Sequence, residues 1–321
     1  MTDLKFKIYT PSGITDKLPC GTSVVALGNF DGVHVAHQAL LRKTIQLGKE
    51  LGADTFGAWC FDSLPSSMLD GKTVPLLTPL EEKLHKIFSL GIDFVAVGDF
   101  QSLRSMGAQD FIEFVLKERL HAVGAACGFN HRFGCGGAGT PAMLENAFEK
   151  NAVSVLSEVR MLGQTVSSSA IRALISEGNV SDARAMLGRA FALSAPVVKG
   201  KQLGRKLGFP TANQYFESGT VAPAYGIYAT VCTMQDGKRF AGVSNVGIRP
   251  TITDGSDDHR INCETYMQNF AGDLYGKPLR VEFCKLLRRE QKFSSTEELK
   301  AQIERDLEAA LAYFKEQNIC F

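Results

Sequence analysis

"ALGNFDGVHVAHQALL", Ala26 to Leu41, places two histidines three residues apart, His34 and His37, where an apolar run gives way to a helical pattern. The run "SVVALG" (23–28) reads as a buried strand, and Asn29 to Val33 form a turn. "HQALLRKTIQLGKELG" then carries apolar residues at helical spacing and ends on glycine, a common C-cap. A helix start exposes unpaired N–H groups and partial positive charge, which suits an anion. Gly28 and Gly32 let the backbone bend closely around a ligand. Histidines three apart on a helix face the same way. The dipole at that end disfavours imidazolium, so both rings are expected to serve as neutral donors. Such donors stabilise charge that develops on a phosphorus during nucleotidyl transfer.

Outward from this stretch the pattern repeats. "TFGAWCF" (55–61), "DFVAVGDF" (93–100), "AVGAACGF" (122–129) and "VSVLSEV" (153–159) read as strands, and "AQDFIEFVLKERL" (108–120) as a helix. Strands alternating with helices predict a parallel, Rossmann-like α/β sheet. Ligands of such sheets bind beyond the carboxyl ends of the strands, where the opening motif falls. "SSSAIRALISEGNVSDARAMLGR" (167–189) predicts two short helices. Beyond it the texture changes to short β-like segments separated by turn signals: "GIYATVCTM", "RFAGVSNVG", "INCETYM" and "LRVEFCKLL". These predict a small antiparallel barrel, followed by a terminal helix over "SSTEELKAQIERDLEAALAYFKEQ" capped by Ser294 or Ser295. The domain boundary is expected near Leu187 to Ala192, giving domains 1–188 and 189–321.

Length and composition fit two folded domains: 321 residues, 45% hydrophobic and 21% charged. A net charge of +1 gives no global field for nucleic acid or anionic lipid, so neither is an expected partner. No apolar run approaches the roughly 18 residues that span a bilayer, and the N-terminus lacks the apolar core of a secretory signal. None of the eight cysteines forms a C-x-x-C pair, and most read as small buried hydrophobes in a reducing cytoplasm. The sequence sets no oligomeric state, and a weak homo-oligomer stays open.

"VVKGKQLGRKLGFPTAN" (197–213) is the most specific segment of the second half. Gly200, Gly204 and Gly208 interleave with Lys201, Arg205 and Lys206, a cationic loop suited to polyphosphate without Walker A spacing. Thr211 and Asn213 stand two apart on an extended strand and so face one side. Both offer the oxygen ligands that magnesium takes when phosphates supply the rest.

Several segments carry resemblances. "GNFDGVHVAHQ" resembles the G-x-F-D-G-x-H-x-G-H motif of the nucleotidyltransferase superfamily, in the version of prokaryotic FAD synthetases. "GFNHRFG" (128–134) and "VSSSAIR" (166–172) are similar to two further segments of that family. The resemblance implies ATP and phosphate contacts from Gly28, Asn29, Phe30, Asp31, Gly32, Ser167 and Ser168. It implies catalytic roles for His34, His37 and Arg172, and flavin contacts from Asp62, Asn130 and Phe133. Three departures stand out: Ala36 replaces a family glycine, "FDSLP" (61–65) lacks a histidine, and His131 replaces an aromatic residue.

From Gly200 onward, "GFPTAN", "PAYGIYA", "GVSNVGIRPTI" and "CETYMQNFAGDLYGKPLRVEF" together resemble riboflavin kinase. That implies a catalytic base at Glu264 and magnesium at Thr211 and Asn213. It also implies flavin contacts from Phe209, Pro210, Asn245, Arg249 and Arg288, with Tyr266 where the family has histidine. The two halves resemble the prokaryotic bifunctional family that phosphorylates riboflavin to FMN and then adenylylates FMN to FAD, with ATP as co-substrate and Mg²⁺ as cofactor. Two other readings stay open on sequence. One is a riboflavin kinase whose N-terminal half is weakened around Ala36 and Leu64; the other is a non-catalytic flavin-binding regulator. Glu264 speaks against the regulator, which has no need of a base.

Overall fold

A computed structural model describes residues 6–15, 18, 21–64, 73–200, 204, 208–248 and 260–321. The chain divides into two compact units, Met1–Ser168 and Ser169–Phe321.

In the first unit five strands run parallel: β3 (Ser23–Leu27), β4 (Thr55–Phe61), β5 (Phe94–Gly98), β6 (Ala122–Gly128) and β7 (Val153–Leu156). A hairpin of β1 (Phe6–Thr10) and β2 (Gly13–Thr15), not anticipated from sequence, adds antiparallel to β5. The order is β2-β1-β5-β4-β3-β6-β7. A separate short hairpin, β8 (Arg160–Met161) and β9 (Gln164–Thr165), follows. Every residue of β3 and β5 is buried, which is why both read as unbroken apolar runs: helices cover both faces of a parallel sheet. Alternation divides the core in two. Val25 and Leu27 pack on one face with Trp59, Ile112 and Leu116, whereas Ala26 packs on the other with Leu41, Ile87 and Val95.

The chain moves from β3 to β4 and β5 on one side, then returns to place β6 and β7 on the other. The topological switch point therefore lies between β3 and β6. Helix α1 (Val35–Leu51) starts right after β3 and ends on Gly52 in the left-handed conformation. Helix α2 (Leu80–Phe88) lies between β4 and β5. The expected helix over 108–120 begins at Ala108 but widens into a π-helical stretch, α3 (Phe111–Arg119), closed by Leu120 N donating to Val115 O at 3.0 Å.

The second unit opens with the two short helices, α4 (Ser168–Glu177, whose first residue closes the first unit) and α5 (Val180–Leu187). Six antiparallel strands follow: β10 (Phe191–Pro196), β11 (Thr211–Tyr215), β12 (Gly226–Met234), β13 (Arg239–Ile248), β14 (Ile261–Met267) and β15 (Pro278–Arg288). Their order is β10-β15-β12-β13-β14-β11. The sheet curls until its edges meet, with Val198 N donating to Asn213 O at 2.8 Å. Gln214 Nε2 donates to Ala195 O and Leu279 O, each at 2.7 Å, across that closure.

One face holds Tyr228, Val246, Cys263 and Phe283, all fully buried. A hydroxyl chain, Thr230–Ser244–Thr265, satisfies the polar groups there at 2.8 and 2.7 Å. The other face presents Ile227, Ala229, Val231 and Val243 to Ala310 and Phe314 of helix α6 (Thr296–Glu316). Ser295 caps α6 by accepting from Glu298 N at 3.1 Å, and the Glu298 carboxylate accepts from Ser294 N at 2.9 Å. Among the described residues no helix is long and apolar enough to cross a membrane. Five described cysteines are buried free thiols, while Cys135 and Cys320 are exposed.

Two candidate active sites

At the switch point of the first unit the chain turns sharply. Phe30 (φ 53°), Gly32 (φ 82°) and Val33 (φ 41°) all take positive φ, which is uncommon for the two side-chain-bearing residues. The turn is held from three sides. The Asp31 carboxylate, itself buried, accepts from Leu77 N at 2.9 Å, and Asp31 O accepts from Ser168 Oγ at 2.9 Å. Lys83 Nζ donates to Asn29 O at 3.2 Å. The serine segment therefore meets the turn directly, through the first residue of α4. Arg172 lies four residues after Ser168 on that helix, one turn along.

His34 is the N-cap of α1, and its Nδ1 accepts from His37 N at 3.3 Å, leaving a proton for Nε2 in the neutral ring. The two imidazoles stack with centroids 3.5 Å apart and planes 13° from parallel, and Phe30 meets His37 edge-on at 5.2 Å. Burial first, then the neighbouring His34 and Lys83, holds the His37 imidazole well below the usual histidine range. A neutral ring was expected from the helix dipole; for His37, burial and neighbouring charge are the leading causes instead. His37 Nδ1 is buried without a hydrogen-bond partner among the described residues. A buried polar atom left so awaits a ligand.

Beside this turn lies a cavity of about 680 Å³ at the carboxyl ends of β3, β4 and β6. Gly28 and Asn29 form one wall; Trp59, Phe61, Phe111 and Phe133 make it aromatic. His131 also lines it, stacked at 5.9 Å on Phe133, and burial pushes that imidazole down to about 4. Of the expected flavin contacts, Phe133 lines the cavity, while Asn130 and Asp62 are exposed and absent from its lining.

In the second unit, strand register assembles a row. Asn213 on β11 pairs with Glu264 on β14, which pairs with Asn245 on β13. Asn245 pairs with Ile227 on β12, and Ile227 with Arg288 on β15. Directly paired residues share a face, so four expected site residues from four strands point the same way. A cavity of about 600 Å³ is lined by Glu264, Asn245, Arg288, Thr211, Phe209 and Gly204, with Tyr266 and the start of α6 beyond. A second cavity of about 580 Å³ includes Gly200, Pro210 and Asn213 and shares Thr211 with the first.

Glu264 is half-buried, and Asn262 Nδ2 donates to its Oε1 at 3.2 Å. Arg288 is fixed by Asp306 of α6 in a fork, with Nε–Oδ1 at 2.9 Å and a second nitrogen–Oδ2 contact at 2.7 Å. Among the described residues Asn213 Oδ1 is buried without a partner, and a Cβ at Gly200 would stand 2.7 Å from the Asn213 side chain. An orphaned oxygen cradled by glycine, next to a threonine hydroxyl, fits a magnesium ion that takes its other oxygens from phosphate. Among the described residues no cluster of three His, Cys, Asp or Glu could hold a metal unaided. Lys201, Arg205, Lys206 and Arg249 lie outside the described residues; Gly208 is described, at φ 89°.

Two family models cover the chain in the same order as the two units: FAD synthetase over residues 18–170 and riboflavin kinase over residues 187–314. The bifunctional riboflavin kinase/FMN adenylyltransferase of Escherichia coli (strain K12) is 35% identical over 91% of this chain and 92% of its own length. The chain belongs to this bifunctional family. Its relative from Bacillus subtilis (strain 168) is 32% identical, again over 91% of this chain. A crystal structure described as that of a macrolide-efflux protein from Streptococcus pneumoniae matches with a TM-score of 0.83 and 28% identity, over 92% of this chain and 95% of that one.

Within this family framework, sequence reasoning missed Arg104, Ser105 and Met106 on the N-terminal cavity, and Gln291, Phe293 and Ile303 on the C-terminal one. The aromatic and apolar members carry no polar signal in sequence. Asp306 was missed for another reason: in "IERDLEAA" it reads as one more solvated helix charge.

Proposed function

We propose that the chain makes FAD from riboflavin in two steps at two separate centres, with the functional boundary at 188/189. In the second unit riboflavin and ATP give FMN and ADP. In the first, FMN and ATP give FAD and pyrophosphate. The observation that carries the reading is the paired row Asn213–Glu264–Asn245, in which Glu264 and Asn245 line one cavity, Asn213 lines the adjoining one, and Thr211 is shared by both. A kinase needs that plan: an acceptor pocket and a nucleotide pocket meeting at a base.

Glu264 accepts the proton of the ribityl 5′-hydroxyl as its oxygen attacks the γ-phosphorus and ADP leaves. Asn262 orients the carboxylate, and Arg288 and Asn245 bind the flavin end of the acceptor, with Phe209 beside it, while Pro210, assigned to the flavin with Phe209, lines the adjoining cavity. Gly200, Lys201, Gly204, Arg205, Lys206 and Gly208 are assigned to the phosphates. Magnesium, held by Thr211 and Asn213, would neutralise charge on the transferring phosphoryl group. In the first unit the start of α1, with His34 and His37, takes the ATP phosphates; among the described residues His37 Nδ1 has no hydrogen-bond partner that competes for that purpose. Ser167 and Ser168 bind further phosphate oxygens, and the aromatic cavity holds the isoalloxazine; Arg172 keeps the catalytic role that the family resemblance implies. The stacked histidine pair favours this reading over a kinase with an inert N-terminal half.

The test is product analysis with ATP and Mg²⁺. Wild type converts riboflavin to FAD; Glu264→Ala loses at least about 100-fold in FMN formation. Full kinase activity in Glu264→Ala would remove the base assignment. Absence of FAD and pyrophosphate from wild type given FMN would remove the second activity.

A further inference from the structure

Lys83 sits in the middle of α2 with only 6% of its surface exposed. Its ammonium donates to Asn29 O at 3.2 Å and to Phe61 O at 3.5 Å, and the Cys60 thiol lies beside it. All three acceptors are neutral. Among the described residues no carboxylate pairs with it; the neighbouring Glu82 is taken by Lys86 at 3.1 Å. Burying an ammonium with neutral partners alone is unfavourable, because the carbonyls replace only part of its hydration. Packing by itself would favour leucine or methionine at this position. The location explains the exception. Asn29 opens the turn that leads to His34, and Phe61 ends β4, so the cation lies under the carboxyl edge of the sheet where the adenylyl-transfer site is placed. The His37 ring lies within its field.

We propose that Lys83 is a further functional residue of the adenylyl-transfer site, fixing the Asn29–His34 turn and supplying positive charge, paired by no carboxylate among the described residues, that draws a nucleoside triphosphate to the start of α1. It is a positioning residue, acting through the Asn29 carbonyl and the histidine pair, and it rests on the assignment of FMN adenylylation to the first unit. The charge balances when the polyphosphate arrives, so the cost of the buried cation is relieved in the complex and not in the free protein.

Full-length Lys83→Gln tests it, since the amide can donate to both carbonyls but carries no charge. In FAD formation the KM for ATP is expected to rise about tenfold and kcat to fall about tenfold. The KM for FMN should stay within twofold, with riboflavin phosphorylation unchanged as a control. Lys83→Arg, which restores the charge, should recover most of the loss in ATP KM. Wild-type ATP kinetics in Lys83→Gln would overturn the proposal. So would equal losses toward ATP and FMN accompanied by a lowered Tm, or equal defects in the Gln and Arg variants, each of which marks a purely structural lysine. A wild-type chain that makes no FAD overturns the adenylylation reading and this inference together, whereas a competent wild type with an equally competent Lys83→Gln overturns this inference alone.

Discussion

At residue scale, His131 shows how one substitution in a family segment alters the physics of a site. It stands where relatives of this motif have an aromatic residue, against Phe133 with ring planes 21° apart. Burial sets its pKa at about 4, against 6.5 in an unfolded chain. Between those values the unfolded state binds the extra proton, so stability declines as pH falls from 6.5 toward 4. His37, also depressed by burial, adds to the slope with the same sign. His131→Phe should therefore lose less stability than wild type between pH 7.5 and pH 5, read as a smaller drop in the urea midpoint. An equal drop in both proteins would show that His131 does not titrate in this way. In the other unit Gly200 is constrained by contact, since an added methyl would stand 2.7 Å from the Asn213 side chain. Displacing Asn213 by even 1 Å in Gly200→Ala should cut FMN formation about 100-fold with FAD formation from FMN intact, in a two-substrate assay.

At the scale of elements, α6 does more than cover a sheet face. Its Asp306, 4% exposed, grips Arg288 at the end of β15 while Gln302 donates to the same carboxylate at 2.8 Å. Removing the carboxylate leaves a largely buried guanidinium without its partner, so Asp306→Ala should cost about 3 kcal/mol or more in denaturant unfolding of the second unit. The KM for riboflavin should rise as well, because Arg288 lines the acceptor cavity. Strands β3 to β6 were legible in sequence because parallel strands buried on both faces are unbroken apolar runs, and α1 announces both its ends, whereas α2 and β10 were not anticipated. The β1–β2 hairpin was not, because an edge pair with half-exposed residues gives no such run. The site residues were legible as motifs, but their row was not. Pairing Asn213 with Glu264 and Glu264 with Asn245 depends on antiparallel register, which is set by long-range packing and not by local pattern. Lys83 and Asp306 were illegible for a related reason, since a helix charge looks solvated until its neighbours are known.

For the whole molecule the consequence is separability. Each unit has its own core and its own cavity, and the first makes use of the product of the second only through FMN. His37→Ala should accumulate FMN from riboflavin, with FAD formation down about 100-fold or more. Glu264→Ala should fail on riboflavin yet convert added FMN to FAD at the wild-type rate. Mixed in equal amounts, the two single variants should therefore restore riboflavin-to-FAD conversion, because FMN released by one chain is a substrate for the other. Recovery should grow with protein concentration, following a lag while FMN builds up, and added FMN should abolish that lag. A mixture that stays inactive while both half-reactions run at wild-type rates would mean that FMN passes between centres without leaving the chain, and independence of the two units would then be wrong.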